Sequence, residues 1–131
     1  MQIGQKVGVK TLYQYYDAFG FFDKTNFASV GEASSNFWNI NDVGPIELAT
    51  MSFGQSIQIT PLQLLRAVSA GINGGKLVTP HLAMEKKDSI TKEITQYEYP
   101  IKPGAVSEET SQTLRAVSYT HLRAHETPEH L

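Results

Sequence analysis

Apolar residues recur at helical spacing from the first residues of the chain, with Ile3 and Val7 and then Leu12, Tyr15, Tyr16 and Phe19 set three and four apart as one face of a helix requires. No capping Ser, Thr, Asp or Asn precedes Ile3, so the first-turn donors lack a side-chain partner and the helix is expected to begin further upstream. Gly8 is expected to interrupt this helix and Gly20 to end it, because glycine tolerates the left-handed backbone that closes helices. Residues 23–45 are rich in Asn, Ser, Gly and Asp, show neither period, and read as loop. Their rings, Phe27, Phe37 and Trp38, are expected to pin the loop to a neighbouring surface; for Trp38 the rival role is stacking on a ligand.

Pro45–Met51 reads as a short helix opening on its proline, with Ile46 and Leu48 as core candidates, and Phe53, Gly54 and Gln55 break it. The clearest helix follows. Thr60 is placed to cap, Pro61 suits the first helical position, and Leu62, Leu65, Val68 and Ile72 form one apolar stripe expected to face the core. Gly74 and Gly75 stop it. Lys76–Val78 reads as a short strand, and Ala83–Tyr99 alternates around a charged middle as a hairpin would, ended by Pro100, Pro103 and Gly104. Ser107 followed by Glu108 and Glu109 opens a last helix, with acids where the macrodipole favours them, running through Leu114 to about Val117. The pattern is α+β.

Composition narrows the function classes. With 131 residues, 40% apolar and 18% charged, the chain can hold one domain with a modest core. The net charge is -2, from 11 basic and 13 acidic residues, so no overall field recruits nucleic acid or an anionic membrane, and Lys86 and Lys87 are offset by Glu85 and Asp88. The absence of cysteine removes disulfides, thiol nucleophiles and thiolate metal sites. No run approaches the roughly 20 apolar residues of a membrane helix, and no signal peptide is legible at the N-terminus.

The run Glu47-Leu48-Ala49-Thr50-Met51-Ser52-Phe53-Gly54-Gln55, continued by Ile59-Thr60-Pro61-Leu62-Gln63-Leu64, Ala70 to Gly75 and Val78-Thr79-Pro80-His81-Leu82, resembles the transpeptidase domain of class B penicillin-binding proteins. Ile3 to Gly8 is similar to the helix after that family's SxN motif, and Phe19-Gly20-Phe21 to the aromatic turn that follows. Gly31-Glu32-Ala33 resembles the family's PGE element, with Val30 where proline is usual and Asn26 where glycine is usual. The resemblance covers about residues 1–117. It implies a partial penicillin-binding-protein/serine β-lactamase-like fold, mostly the helical lobe plus a hairpin. It also implies a parent that cross-links peptidoglycan stem peptides, is acylated by β-lactams, works with the cell-wall synthesis machinery, and is anchored in the bacterial plasma membrane with its catalytic domain outside. No cofactor or metal is implied.

That chemistry needs SxxK, SxN and KTG in order: a serine attacks the acyl carbon, a lysine activates it and backbone donors hold the oxyanion. By the resemblance SxN falls before Met1, KTG beyond Val117 and SxxK further upstream, so the chain is expected to be an internal fragment without catalytic residues and inactive alone. Phe53, Gly54 and Gln55 are expected only to shape the active-site surroundings. Ser89-Ile90-Thr91-Lys92 spells SxxK and Ser34-Ser35-Asn36 spells SxN, but in reversed order and without KTG. The rival class is a stand-alone binding or regulatory module reusing this lobe. A third reading, a metal site from His121, His125, Glu126 and His130, is opposed by Thr127-Pro128, which breaks the helix those ligands would share. Residues 118–131 resemble a translated sequencing-adapter read-through of the kind appended to unrelated proteins in metagenomes, and are expected to be a non-native tail.

Overall fold

Gly8, at φ 80° and ψ 159°, divides the first helical run into α1 (Gln2–Val7) and α2 (Val9–Ala18). This backbone region is open essentially to glycine alone. The computed structural model describes residues 1–27 and 31–123, the side chains of 121–123 excepted. Met1 gives α1 no side-chain cap, as the sequence leads one to expect, and Gly20 turns the chain after α2 at φ 70°. The described residues between 23 and 44 are loop apart from the bridge residue Asn36 and one 3-10 turn, Ile40–Asp42, and the break at 28–30 places Val30 outside the described residues.

α3 (Pro45–Met51) opens on its proline, with the Glu47 carboxylate accepting from the Gly44 amide at 3.0 Å. It packs on α1 where Gly4 leaves room: a Cβ there would overlap the Ser52 side chain. Leu48 and Met51, one turn apart, are the buried residues, whereas Ile46 is 75% exposed. The expectation that Ile46 is core is therefore corrected, because it lies off the face that Leu48 and Met51 share.

α4 (Pro61–Ile72) has the cap its sequence predicts. The Thr60 hydroxyl accepts from the Gln63 amide at 3.1 Å, and the Gln63 side chain returns the bond to the Thr60 amide at 2.8 Å, a reciprocal capping box. Its buried face is not the expected one. Gln63, Arg66, Ala67, Ala70 and Gly71 point inward, while Leu65, Val68 and Ile72 of the apolar stripe are 63%, 56% and 44% exposed. The inward face wins because partners reach its polar groups, the Arg66 Nε excepted. Gln63, 1% exposed, donates through Nε2 to the carbonyls of Phe21 at 3.2 Å and Asp23 at 2.9 Å, and Arg66 donates to the Gly20 carbonyl at 2.7 Å. A Cβ on Gly20 would collide with that guanidinium and with Leu77.

β1 (Leu77–Val78) pairs antiparallel with β4 (Ile101–Lys102), and between them β2 (Glu85–Lys87) pairs with β3 (Ile94–Gln96), one hairpin nested inside another. Pro100 and Pro103, read from sequence as ending the hairpin, do lie beyond it, and they also flank a paired strand that the pattern did not reveal. Neither sits at a paired position, where its missing N–H would matter, and the Thr79 hydroxyl holds the Pro100 carbonyl at 2.8 Å. At the base of the inner hairpin the His81 and Tyr99 rings stack 3.9 Å apart.

α5 (Glu108–Arg123) starts behind Ser107, whose hydroxyl accepts from the Thr110 amide at 3.1 Å. It passes the expected end near Val117, because no glycine or proline interrupts the sequence before Pro128. Buried Ser111 accepts from the Gly74 amide at 2.8 Å and fastens α5 to the end of α4. The small apolar core joins Ala70, Leu77 and Ala105, with Phe19 against it. Outside it the exposed side of α4 borders a groove of about 460 Å³ between α2 and α5, lined by Tyr15, Tyr16, Phe19, Leu64, Val68 and Leu114 among others.

These two faces of α4 give opposite expectations for stability. Gln63→Leu strands three backbone groups without a partner and is expected to cost about 3 kcal/mol or more, at roughly 1–3 kcal/mol for each buried unmade bond. Leu65→Ser is expected to shift stability by no more than about 0.5 kcal/mol. Denaturant midpoints of the two variants check the assignment, and a larger loss for Leu65→Ser would reverse it.

Candidate functional site

A cleft of about 500 Å³ opens between residues 36–39 and 56–58, within the roughly 300–1,000 Å³ of small-molecule sites. Its far wall, Ser56–Gln58, follows the end of α3. The Gln55 amide donates to the Thr50 carbonyl and the Gly54 amide to the Met51 carbonyl, both at 3.1 Å, with Gly54 at φ 87°. This is the Schellman closure that a glycine just beyond a helix permits. Phe53, Gly54 and Gln55 thus turn the chain out of α3 and deliver Ser56–Gln58 to the cleft. Ser56 sits at φ 62°, a conformation few non-glycine residues adopt.

The near wall is held by α2. Phe37 packs 4.8 Å from the Phe22 ring and 5.4 Å from the Tyr16 ring, so Phe37 anchors the loop as expected. Trp38 does not pack in that way. Its carbonyl accepts from the Tyr13 hydroxyl at 2.7 Å, while the residue as a whole is 48% exposed and lines the cleft. Burial pushes the phenols of Tyr13 and Tyr16 up, with Tyr13 adding to the rise at Tyr16, so both remain neutral donors; Tyr16 donates to the Met51 carbonyl at 3.1 Å. An isolated antiparallel bridge, Asn36 to Gln58, joins the walls through backbone bonds of 2.8 and 2.9 Å.

The loop that leaves α2 is tied to Glu32. Its carboxylate accepts from the Thr25 amide at 2.6 Å, the Thr25 hydroxyl at 2.7 Å and the Asn26 amide at 3.1 Å. Burial raises its pKa, but the Thr25 and Asn26 bonds and the nearby Lys24 charge outweigh that and hold it below the usual range. Asn26 takes φ 56°, the left-handed backbone that asparagine tolerates better than most residues, at the position where the resemblance leads one to expect glycine. Burial works against the Arg66 charge, while Asp23 and Glu32 support it, and its Nε has no partner.

The serines of the two motif look-alikes lie elsewhere. Ser89 and Lys92 occupy the exposed tip of the inner hairpin, where the Asp88 carboxylate accepts from the amides of Ile90 at 2.7 Å and Thr91 at 2.9 Å. The Lys92 ammonium donates to the Ser89 carbonyl at 2.9 Å. Ser34 is an exposed loop residue. Asn36 is in the cleft wall as a bridge residue, and the Ser34-Ser35-Asn36 run is not helical. Of the histidine set, His125, Glu126 and His130 lie outside the described residues, as does the side chain of His121. Among the described residues no helix is long and apolar enough to cross a membrane. The sequence signal for the cleft is the polar-apolar alternation Ser56-Ile57-Gln58-Ile59, an extended run that pattern reading missed.

Residues 1–122 match the family model of the penicillin binding protein transpeptidase domain. The chain belongs to this family. Stage V sporulation protein D of Bacillus subtilis is 40% identical over 116 residues, covering 88% of this chain and 18% of that protein. Penicillin binding protein 3 of Mycobacterium tuberculosis superposes with a TM-score of 0.80 at 25% identity, over 87% of this chain and 25% of that one. Penicillin Binding Protein 2X of Streptococcus thermophilus gives 0.74 at 27% identity, over 86% and 16%. These relatives put the chain with the class B penicillin-binding proteins and its fold with their α+β transpeptidase domains, of which it spans a part. The family match extends past Val117 into the stretch read from sequence as a tail.

The Glu32 contacts predict a pH dependence. A carboxyl held below its unfolded pKa contributes stability that is complete above the ordinary glutamate range and is lost as pH falls through the folded value. Wild type is therefore expected to lose stability in that acidic window, and Glu32→Gln to show a flatter profile there. Parallel profiles in denaturant titrations from pH 7 to about pH 3 would remove Glu32 from this role.

Proposed function

We propose that this chain is part of a D,D-transpeptidase that cross-links peptidoglycan stem peptides and is acylated by penicillin, and that residues 1–117 supply the wall behind the acyl site rather than the reacting groups. Family membership supports the reaction class. The observation that most supports inactivity of the 131 residues alone is the Lys92 ammonium lodged on the carbonyl of Ser89 at 2.9 Å, on an exposed turn. An activating lysine would instead face the nucleophilic oxygen, inside a site furnished with oxyanion donors. The parent is proposed to be membrane-anchored with this domain outside the membrane and to work with the cell-wall synthesis machinery. Residues 118–131 are proposed to be a non-native tail.

Fluorescent penicillin separates these statements. The 131-residue chain is expected to take no covalent label. The longer gene product, recovered from flanking DNA, is expected to be labelled at a serine outside this sequence. Label on Ser89 or Ser34, located by peptide mass mapping, would overturn the inactive reading, and an unlabelled longer product would overturn the transpeptidase reading.

The groove along α4 is proposed to be filled by the rest of the transpeptidase domain, since this chain spans 18% of the length of its Bacillus subtilis relative and exposed apolar faces of this kind mark interaction sites or aggregation liabilities. Alone, the chain is expected to bind a hydrophobic dye and unfold over a broad temperature range. A sharp cooperative transition without dye binding would count against this.

A further inference from the structure

α1 is a weak helix held at one point. It has six residues, no side-chain cap and no acidic residue in its first turn, and helices this short do not stand alone in water. Gly4 is its one buried residue, although glycine is a poorer helix former than alanine. What requires a glycine there is the approach of α3. A Cβ at residue 4 would lie 2.8 Å from the Ser52 Oγ and closer still to the Ser52 Cβ, with the Ser52 Cα at 3.6 Å. Turning a side chain does not relieve this, because the crowded Cβ is fixed to the backbone of Ser52. That backbone is itself tied down. The Ser52 amide donates to the Leu48 carbonyl at 3.1 Å, its hydroxyl donates to the Ala49 carbonyl at 2.6 Å, and the Met51 carbonyl beside it accepts from Tyr16 of α2 at 3.1 Å. On the other side Gly8, at φ 80° and ψ 159°, breaks the run between α1 and α2, so α2 does not carry α1 as one continuous helix.

We propose that Gly4 is a positioning residue for acyl transfer in the longer protein: the close seat of α1 on Ser52 fixes the chain that runs into α1, where the resemblance puts the SxN motif. The proposal rests on the transpeptidase reading and deepens it by naming a residue on which the geometry of that site depends. Gly4 touches no substrate and acts only through the placement of α1. Carbon atoms in contact sit about 3.5–4.0 Å apart, so a methyl added at residue 4 moves α1 off α3 by on the order of 1 Å. A misplacement of that size among groups that converge on a reacting atom costs about a hundredfold in rate. The fold need not be lost for this to happen, because the apolar core of Ala70, Leu77 and Ala105 includes neither α1 nor α3.

The longer gene product is tested with fluorescent penicillin at saturating concentration, timing a single turnover. The amplitude reports the fraction of folded sites and the rate constant reports their geometry, so a merely structural role moves only the amplitude. Gly4→Ala is expected to lower the acylation rate constant about tenfold to a hundredfold. Gly4→Ala combined with Ser52→Gly, which moves the Cβ across the contact without adding volume, is expected to recover most of that loss. An unchanged rate constant in Gly4→Ala, whatever its amplitude, overturns the proposal, as does a double variant as slow as the single one. Where either variant gives no folded protein, Ser52→Val, which crowds the same contact from α3, is timed in its place; a slowed rate constant supports the proposal and a wild-type one overturns it. A wild-type product that takes no label overturns the transpeptidase reading and this proposal together, whereas a labelled wild type with any of the failures above overturns this proposal alone.

Discussion

Gln63 and Arg66 lie one turn apart on the inward face of α4, and the arrangement around them follows from the need to satisfy them. An unmade bond inside a protein costs more than a made one contributes, so the loop leaving α2 is bent until the carbonyls of Gly20, Phe21 and Asp23 all point at α4. Only a residue without a side chain fits at Gly20, because the guanidinium and Leu77 occupy the space a Cβ would take. The next residues of that loop then close on Glu32, which collects three bonds from Thr25 and Asn26. Polar satisfaction, rather than apolar burial, fixes how the first half of the chain meets the second.

That constraint explains which parts of the fold can be read from sequence. The caps and stops were legible because they are local: Thr60 and Gln63 sit three residues apart, Pro61 fits the first turn, and Gly8, Gly20, Gly74 and Gly75 all take positive φ. The buried face of α4 was not legible. The stripe Leu62, Leu65, Val68 and Ile72 has the better hydrophobic periodicity, but the alternative face carries partners that exist only once the distant residues 20–23 arrive. Ile46 was misread and β4 was not foreseen for the same reason, since what settles each is contact with a distant segment of the chain.

The cleft shows another limit. Its residues are loop and bridge positions, and the alternation Ser56-Ile57-Gln58-Ile59 is only four residues long, so the resemblance around Phe53-Gly54-Gln55 alone drew attention to the neighbourhood. What those three residues do locally is plain in the geometry: they terminate α3 and redirect the chain, and Gly54 is needed because its φ of 87° admits few other residues. Trp38 looked from sequence like one more loop anchor. Phe37 fills that role, which leaves its neighbour facing solvent.

Tyr16 stands between the two surfaces that the chain leaves open. One side of its ring borders the apolar groove along α4, another meets Phe37 behind the cleft, and its hydroxyl holds the Met51 carbonyl at 3.1 Å, near the α3 terminus. Regions with few buried apolar contacts open more readily than the core, so an empty groove leaves Tyr16 less firmly held than a filled one. The cleft does not depend on Tyr16 alone, because the Asn36 to Gln58 bridge and the closure of α3 are backbone bonds made within its own walls. A filled groove would therefore bear on the ring packing behind Phe37 and leave the cleft's width, which those backbone bonds set, unchanged.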